Sequence, residues 1–337
     1  MSDSEGFVKL AHGAGGRAMR SLIESVFLAG VSDSEALAMG DGAAIAMGDR
    51  WLVLTTDAHV ISPTFFPGGD IGRLSVSGVV NDLAMMGACD VLALTSSVIV
   101  EEGFSIDALR RIHDSMQLAC REANTRIITG DTKVMRRGEV DGVVLSTSGV
   151  AIADRVVRDS GLRVGDSILI TGTIADHGLA VLGARNNLGL EGDLRSDVAP
   201  LNGLVRAALS AGGASIHAMK DPTRGGVTSA LSEMAEKAGV AVVLDESSLP
   251  MSDAGRAAAE LLGIDPLMVA NEGKALIGVA PEAVDRVLAA LRSHPLGARA
   301  ARIGRVTEGA RGAVSLDTGF GTRRLFERDG DPLPRIC

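Results

Sequence analysis

Tyrosine is absent from this chain of 337 residues, tryptophan occurs once and phenylalanine seven times. A core of stacked rings is thereby excluded, and Val, Leu, Ile, Ala and Met must fill the interior. Cysteine is scarce as well: three residues, widely spaced and odd in number, make neither a disulfide framework nor a zinc site. Positive charge is in deficit, with 33 Lys and Arg against 42 Asp and Glu and a net charge of −9. That argues against nucleic acid as a partner, which would need a clustered basic surface. No apolar run approaches the roughly 18–20 residues that span a bilayer. The opening MSDSEGFVKLAHGAGG lacks the basic-then-apolar order of a secretory signal. The expectation is a cytoplasmic protein with no membrane partner.

Glycine, by contrast, is plentiful, at 42 residues, within an otherwise globular composition of 46% hydrophobic and 22% charged residues. The length suits roughly two domains. Met19, Leu22, Ile23, Val26 and Phe27 recur at helical spacing and predict a helix over 17–29. Two short apolar runs, 43–47 and 51–55, flank Gly48-Asp49-Arg50 and predict a hairpin. Helices over 70–87 and 105–124 and strands over 91–100, 126–129 and 143–153 complete the first half. A charged stretch, 154–166, marks the boundary. Beyond it, strands at 167–171, 214–219, 240–244 and 275–279 mix with helices near 174–185, 198–211, 226–238 and 281–292, and two or three strands follow. The fold class is α+β, two tandem domains over 1–153 and 154–326, with residues 327–337 as a flexible tail.

Acidic residues gather where chemistry is usually built. Asp57 follows the strand WLVLTT, Asp131 follows RIITG, Asp221 follows SIHAMK, and Asp41 sits between two glycines. Carboxylates at strand ends suit a metal–phosphate site, since Mg²⁺ takes oxygen from one or two carboxylates plus phosphate. Each alone also reads as a turn or cap residue. Asp82 is more telling: Ile71, Leu74, Gly78, Asp82 and Met86 share one helical face, and a carboxylate in such a stripe costs several kcal/mol unless it is compensated. Asn81 adds a polar neighbour. Two glycine-rich segments open helices, HGAGG at 12–16 and Asp221-Pro-Thr-Arg224-Gly225-Gly226, and bare amides at a helix start bind phosphate. The first matches G-x-G-x-x-A, but a hairpin follows its helix rather than the parallel strand of a dinucleotide fold. No Walker A motif occurs. Lys133 lies two residues past Asp131 and could hold phosphate or move a proton. Glu272 stands in an ordinary polar turn, and His177 reads equally as a cap or turn residue.

Cys89 and Cys120 fall in apolar patterns and read as core. Cys337 ends a segment with two prolines and a glycine, which predicts neither helix nor ladder. Eleven extended residues reach about 36 Å, enough to enter a site or leave it. A frayed terminus that happens to carry a thiol is the plainer reading of that segment taken alone.

Gly-Asp-Gly-Ala-Ala at 40–44, Thr-Thr-Asp-Ala at 55–58, Val-Asn-Asp-Leu-Ala-Met-Met-Gly-Ala at 80–88, Gly-Asp-Thr-Lys-Val at 130–134 and Asp-Pro-Thr-Arg-Gly-Gly-Val at 221–227 resemble the ATP-binding segments of the aminoimidazole ribonucleotide synthetase superfamily. The ending Pro334-Arg335-Ile336-Cys337 resembles the tail of its HypE family of hydrogenase maturation carbamoyl-cysteine dehydratases. The likeness runs essentially end to end. It implies domains of the synthetase type that pair through their N-terminal halves as a homodimer. It implies ATP held by Asp41, Asp57, Asn81, Asp82, Asp131, Asp221, Arg224, Gly225 and Gly226, with Mg²⁺ on Asp57, Asp82 and Asp131. Further implied are a carbamoyltransferase, HypF, that loads Cys337, and a HypC–HypD complex that receives the cyano group. Lys133 and Glu272 stand where the family removes protons. One departure is that the family's usual Asp-Asp pair reads Asp41-Gly42. The ATP-site segments would equally serve a small-molecule kinase or phosphoryl-transfer synthetase. The selenophosphate type would want Cys and Lys in the loop that here reads HGAGGRAM.

Overall fold

Along VVLSTSGVAIA, residues 143–153, every second residue is buried and those between are half-exposed, the signature of a strand with one face on a core. The computed structural model describes residues 6–13, 15–190 and 194–327. Cys337 and the tail that precedes it lie outside the described residues.

The first half runs α1 (Gly16–Leu22), α2 (Ser34–Ala38), β1 (Ala43–Met47), β2 (Arg50–His59), the short β3 (Phe65–Phe66) and β4 (Gly69–Asp70), α3 (Ile71–Met85), β5 (Asp90–Glu101), α4 (Ile106–Glu122), β6 (Ile127–Met135) and β7 (Val143–Ala153). Its sheet has the order β1-β2-β7-β5-β6. All pairs are antiparallel except β5 and β6, which α4 joins as a parallel crossover. Asp70 caps α3 by accepting from the amides of Gly72 and Arg73, and Ser105 caps α4 through the amide of Ala108.

The second half contains β8 (Ser167–Ile170), α5 (Asp176–Arg185), α6 (Asn202–Gly212), β9 (Ile216–Lys220), α7 (Gly226–Ala238), β10 (Ala241–Asp245), α8 (Asp253–Leu262), β11 (Leu276–Val279), α9 (Val284–Arg292), β12 (Ala301–Thr307), β13 (Ala313–Asp317) and β14 (Thr322–Leu325). Its sheet has the order β14-β13-β10-β12-β8-β11-β9, with β10 and β13 parallel.

Four expectations need correction. The helix over 17–29 is α-helical only to Leu22 and continues as a π-helical stretch, Ile23–Phe27. Its apolar residues are not core either, Val26 and Phe27 standing 58% and 68% exposed. Strand 126–129 does not stop at Gly130 but runs to Met135, so Asp131 lies inside it. Asp57 likewise sits within β2, two residues short of its end. Finally, α3 is not striped: of its 15 residues only Arg73 and Asp82 escape burial. The sheet covers one side of it, through β2 and β7, and α6 and β9 of the second half approach the other.

Candidate active site

A cleft of about 400 Å³ opens where α1, β2 and α3 of the first half meet β9 and the start of α7 in the second. Asp41, Asp57, Asp82, Asp221, Arg224 and Glu272 all line it. Six side chains scattered over 231 positions of sequence are thus brought to one place.

Local structure explains each position. Val53 is buried on the helix side of β2, so Asp57 and His59, four and six residues on, share that face. Gly78 of α3 lets them approach: a Cβ there would stand 2.6 Å from His59 Nε2 and 3.4 Å from Asp57 Oδ2. The Thr55 hydroxyl, 2.9 Å from the Asp41 carbonyl oxygen and 3.1 Å from Asp82 Oδ2, ties β2 to α3. Asp221 stands immediately after β9. Gly225 and Gly226 open α7 at positive φ, 75° and 64°, a backbone that suits glycine and turns Arg224 toward the cleft rim beside Gly15.

The charges are crowded. Burial pushes the Asp82 carboxyl well above the ordinary range, and Asp57, Asp221 and Asp41 push it further. Burial and Asp41 bring Asp221 up to about 7. Burial also raises Asp41, although Lys220 sits against it. Desolvation opposes the charge on Lys220, but Asp41 and Glu233, the latter 3.6 Å away, keep it protonated well above its usual range. His59, buried 3.7 Å from Asp57, is held below its ordinary value by desolvation and so stays neutral.

Glu272 is 4% exposed, and its Oε1 has no hydrogen-bond partner among the described residues. Burial raises its carboxyl well above the usual range, and Asp221, Asp197 and Asp57 add to the effect. A buried carboxyl with one oxygen unpartnered and its proton held more tightly than in water can serve as a general acid or base.

Asp131 and Lys133 are not in the cleft. Both are exposed on β6, the edge strand, and pair in register with Ser97 and Ile99. The buried alternates are Ser96 and Val100, so Asp131 and Lys133 point to the opposite face of the sheet from Asp57. Asn81 is also elsewhere. Its Nδ2 donates to the carbonyl oxygens of Ala199 (3.2 Å) and Glu272 (3.0 Å), and its Oδ1 accepts from the Leu201 amide at 2.7 Å. Those bonds leave it a bridge between the halves. His177 is fully buried on α5, its Nδ1 2.7 Å from Ser196 Oγ. The sequence reading missed Lys220, His59, Glu233 and Lys237, which also line the cleft. The one available signal was Lys220 standing beside Asp221 at a strand end.

The donors fit a hard divalent cation. They are carboxylate oxygens, which Mg²⁺ prefers, and the burial and mutual repulsion that raise the Asp82 and Asp221 carboxyls are what such an ion would offset. No three Asp, Glu, His or Cys side chains among the described residues make a ready-formed metal site. Phosphate oxygens and water ordinarily complete the Mg²⁺ shell. Lys220, Arg224, Lys237 and Arg20 supply positive charge for a polyphosphate along the same walls.

Family models match both halves: AIR synthase related protein, N-terminal domain, over residues 39–153, and the C-terminal domain over 163–317. The carbamoyl dehydratase HypE of Rhizobium leguminosarum bv. viciae is 48% identical over 99% of this chain and 96% of its own. A solved HypE in a HypE–HypF complex superposes with a TM-score of 0.86 at 40% identity, over 91% of this chain and all of that one. A HypE solved in complex with ATP gives 0.82 at 38% identity, over 98% of this chain and 100% of that one. With two AIR synthase related domains in tandem and a full-length match to these proteins, the chain belongs to the HypE family of carbamoyl dehydratases.

Proposed function

We propose that this chain uses ATP to dehydrate an S-carbamoyl group on Cys337 to a thiocyanate, the source of the cyanide ligands of a [NiFe]-hydrogenase iron centre. The observation that carries the reading is Glu272, a buried carboxyl whose Oε1 has no hydrogen-bond partner among the described residues, in a cleft walled by both halves of the molecule. A relative named carbamoyl dehydratase and solved relatives holding ATP and HypF support it.

The chemistry follows from a poor leaving group. An amide oxygen does not depart on its own. Transfer of the γ-phosphoryl group to that oxygen forms a C–O–P bond and releases ADP. Cleavage of the C–O bond then expels phosphate as the two N–H protons leave, and the nitrogen lone pairs close the C≡N bond. Glu272 takes a proton from nitrogen, and its raised carboxyl lets it hold that proton and pass it on. Arg224, Lys220 and Lys237 bind the phosphates. Asp57 and Asp82 would hold Mg²⁺, which neutralises phosphate charge when bound.

Lys133 and Asp131 enter through a second copy. The outer face of the first sheet exposes Ile45, Met47, Leu54 and Leu92. Pairing of two copies through this face buries it and carries Asp131 and Lys133 toward the partner's cleft. There Asp131 adds a metal ligand and Lys133 a second proton-transfer group. A HypF-type carbamoyltransferase loads the thiol, and a HypC–HypD complex takes the cyano group. Cys89 and Cys120 are buried free thiols, in keeping with the reducing cytoplasm.

Intact-mass analysis tests the proposal after incubation with ATP, Mg²⁺ and a HypF carbamoylation system. Expected is a carbamoyl adduct that loses water, lost in Cys337→Ala and kept in Cys89→Ala and Cys120→Ala. An adduct on another residue would overturn it. ATP turnover independent of the carbamoylated tail would favour phosphoryl transfer to a free small molecule instead.

A further inference from the structure

The peptide of Glu272 is held from both sides by side chains that the reaction itself does not call on. On one side, Asn81 Nδ2 of α3 donates to the Glu272 carbonyl oxygen at 3.0 Å. On the other, Asp197 Oδ1 accepts from the Glu272 amide at 3.3 Å. Both side chains are fixed in turn. Asn81 is 1% exposed and uses its remaining groups on Ala199 and Leu201. Asp197 Oδ2 pairs with Lys274 Nζ at 3.0 Å, and that ammonium donates to the Gly273 carbonyl oxygen at 3.1 Å. The fit allows no slack: a Cβ at Gly273 would stand 1.8 Å from the Asp197 carbonyl oxygen. Burial would raise the Asp197 carboxyl, but Lys274 and His177 bring it below its ordinary range, so it accepts as a carboxylate.

A glutamate in a turn has three side-chain torsions and a mobile backbone, and nothing in its sequence setting restrains either. Its Oε1 has no hydrogen bond among the described residues, and the bonds that hold the residue are made through its main chain. Two charged or amide groups, nearly buried, grip that main chain at its N–H and its C=O. One of them reaches across from the other half of the molecule.

We infer that Asn81 and Asp197 are positioning residues for Glu272, clamping its peptide so that the carboxyl faces the reacting group. This rests on Glu272 acting in proton transfer. The clamp also joins the halves, since Asn81 stands on α3 of the first and Asp197 belongs to the second.

The test uses the full-length protein, carbamoylated on its tail, and follows dehydration by intact mass against ATP concentration. Asn81→Asp keeps an acceptor for Leu201 and removes the donor to Glu272; Asn81→Ser and Asp197→Asn are made beside it, with circular dichroism as the check on folding. Misplacing a catalytic group by an ångström or so costs on the order of tenfold to a hundredfold in rate. That loss is expected in the dehydration rate, with the ATP concentration for half-maximal rate within about twofold of wild type. In a Glu272→Gln background the same substitutions should cost less than about twofold, because the group they position is already gone. An equal loss in both backgrounds, or a loss made up entirely by ATP, overturns the inference. Glu272→Gln at the wild-type rate overturns instead the role given to Glu272, and the two failures are distinguishable.

Discussion

Arg20 Nη2 lies 2.8 Å from Glu327 Oε2, with the two side chains 19% and 7% exposed, so the last described residue is tied to the helix at the cleft rim. Glu327 itself therefore stands beside the cleft that Arg20 lines. Loosening this root lowers the effective concentration of Cys337 at the site. Glu327→Gln is expected to slow dehydration by about threefold to tenfold with carbamoylation and ATP affinity unchanged. Wild-type dehydration in that variant would remove the ion pair from any part in delivery.

Asp82 touches Thr55 and faces the cleft from the middle of a buried helix. Asp82→Ala is expected to weaken Mg²⁺–ATP binding by tenfold or more, about 1.4 kcal/mol or above, in calorimetric titration. Because the carboxyl is held well above its ordinary range, its loss should not destabilise the nucleotide-free protein. Unchanged ATP affinity with native circular dichroism would take Asp82 out of the site.

Lys133 stands exposed on β6 and Glu272 lines the cleft of the same chain, and this makes a subunit-mixing prediction. If Lys133 serves the partner's cleft, a chain with Lys133→Ala and a chain with Glu272→Ala are each inactive, yet their heterodimer has one intact site. Random pairing of equal amounts should then restore about one quarter of wild-type turnover. No recovery on mixing would place Lys133 outside the partner's site.

Stability should respond to pH through the buried carboxylates. Burial raises Asp221 to about 7, Asp41 and Asp57 add to the rise, and Lys220 opposes it. A folded-state value above the unfolded one means that the folded protein binds more protons across the interval. The contribution is full below about pH 4 and is lost as pH rises through about 7. Asp221→Asn should therefore gain stability relative to wild type as pH goes from about 4 to 8, by a few kcal/mol in urea unfolding without nucleotide. A difference that stays constant with pH would mean that Asp221 is not raised by its surroundings.

Much of the fold could be read directly. Helix α7 begins and ends where its periodicity and its glycines put it, at Gly226 and Ala238, and the hairpin at 43–59 forms around Gly48. Asp41, Asp57, Asp82 and Asp221 converge on one cleft, Asp57 from the helix-facing side of β2, Asp82 from α3 and Asp221 from the end of β9. Other features were illegible for stated reasons. Gly130 was read as a strand end, whereas it lets β6 lie close on β5, a Cβ there meeting Ser96 O at 2.2 Å. The error hid the sheet face on which Asp131 and Lys133 stand. Asn81 was grouped with Asp82 because they are adjacent, yet neighbours on a helix point about 100° apart. One faces the cleft and the other the second half. Glu272 gave no sign in the sequence pattern apart from the resemblance, since the residues that hold its peptide, Asn81 and Asp197, lie far from it in sequence.

Helix α3 is enclosed by both halves: Leu74, Val79 and Leu83 belong to a core shared with the first sheet, and Ala84 and Met85 to one shared with Leu201, Leu204 and Val205 of the second half. Neither half can melt by itself without stranding part of that helix in water. The chain is therefore expected to unfold in a single cooperative step, with the amides of α3 the slowest to exchange. A fragment ending near Ala153 would carry an apolar helix with one flank bare, and it should associate or aggregate rather than remain a monomer.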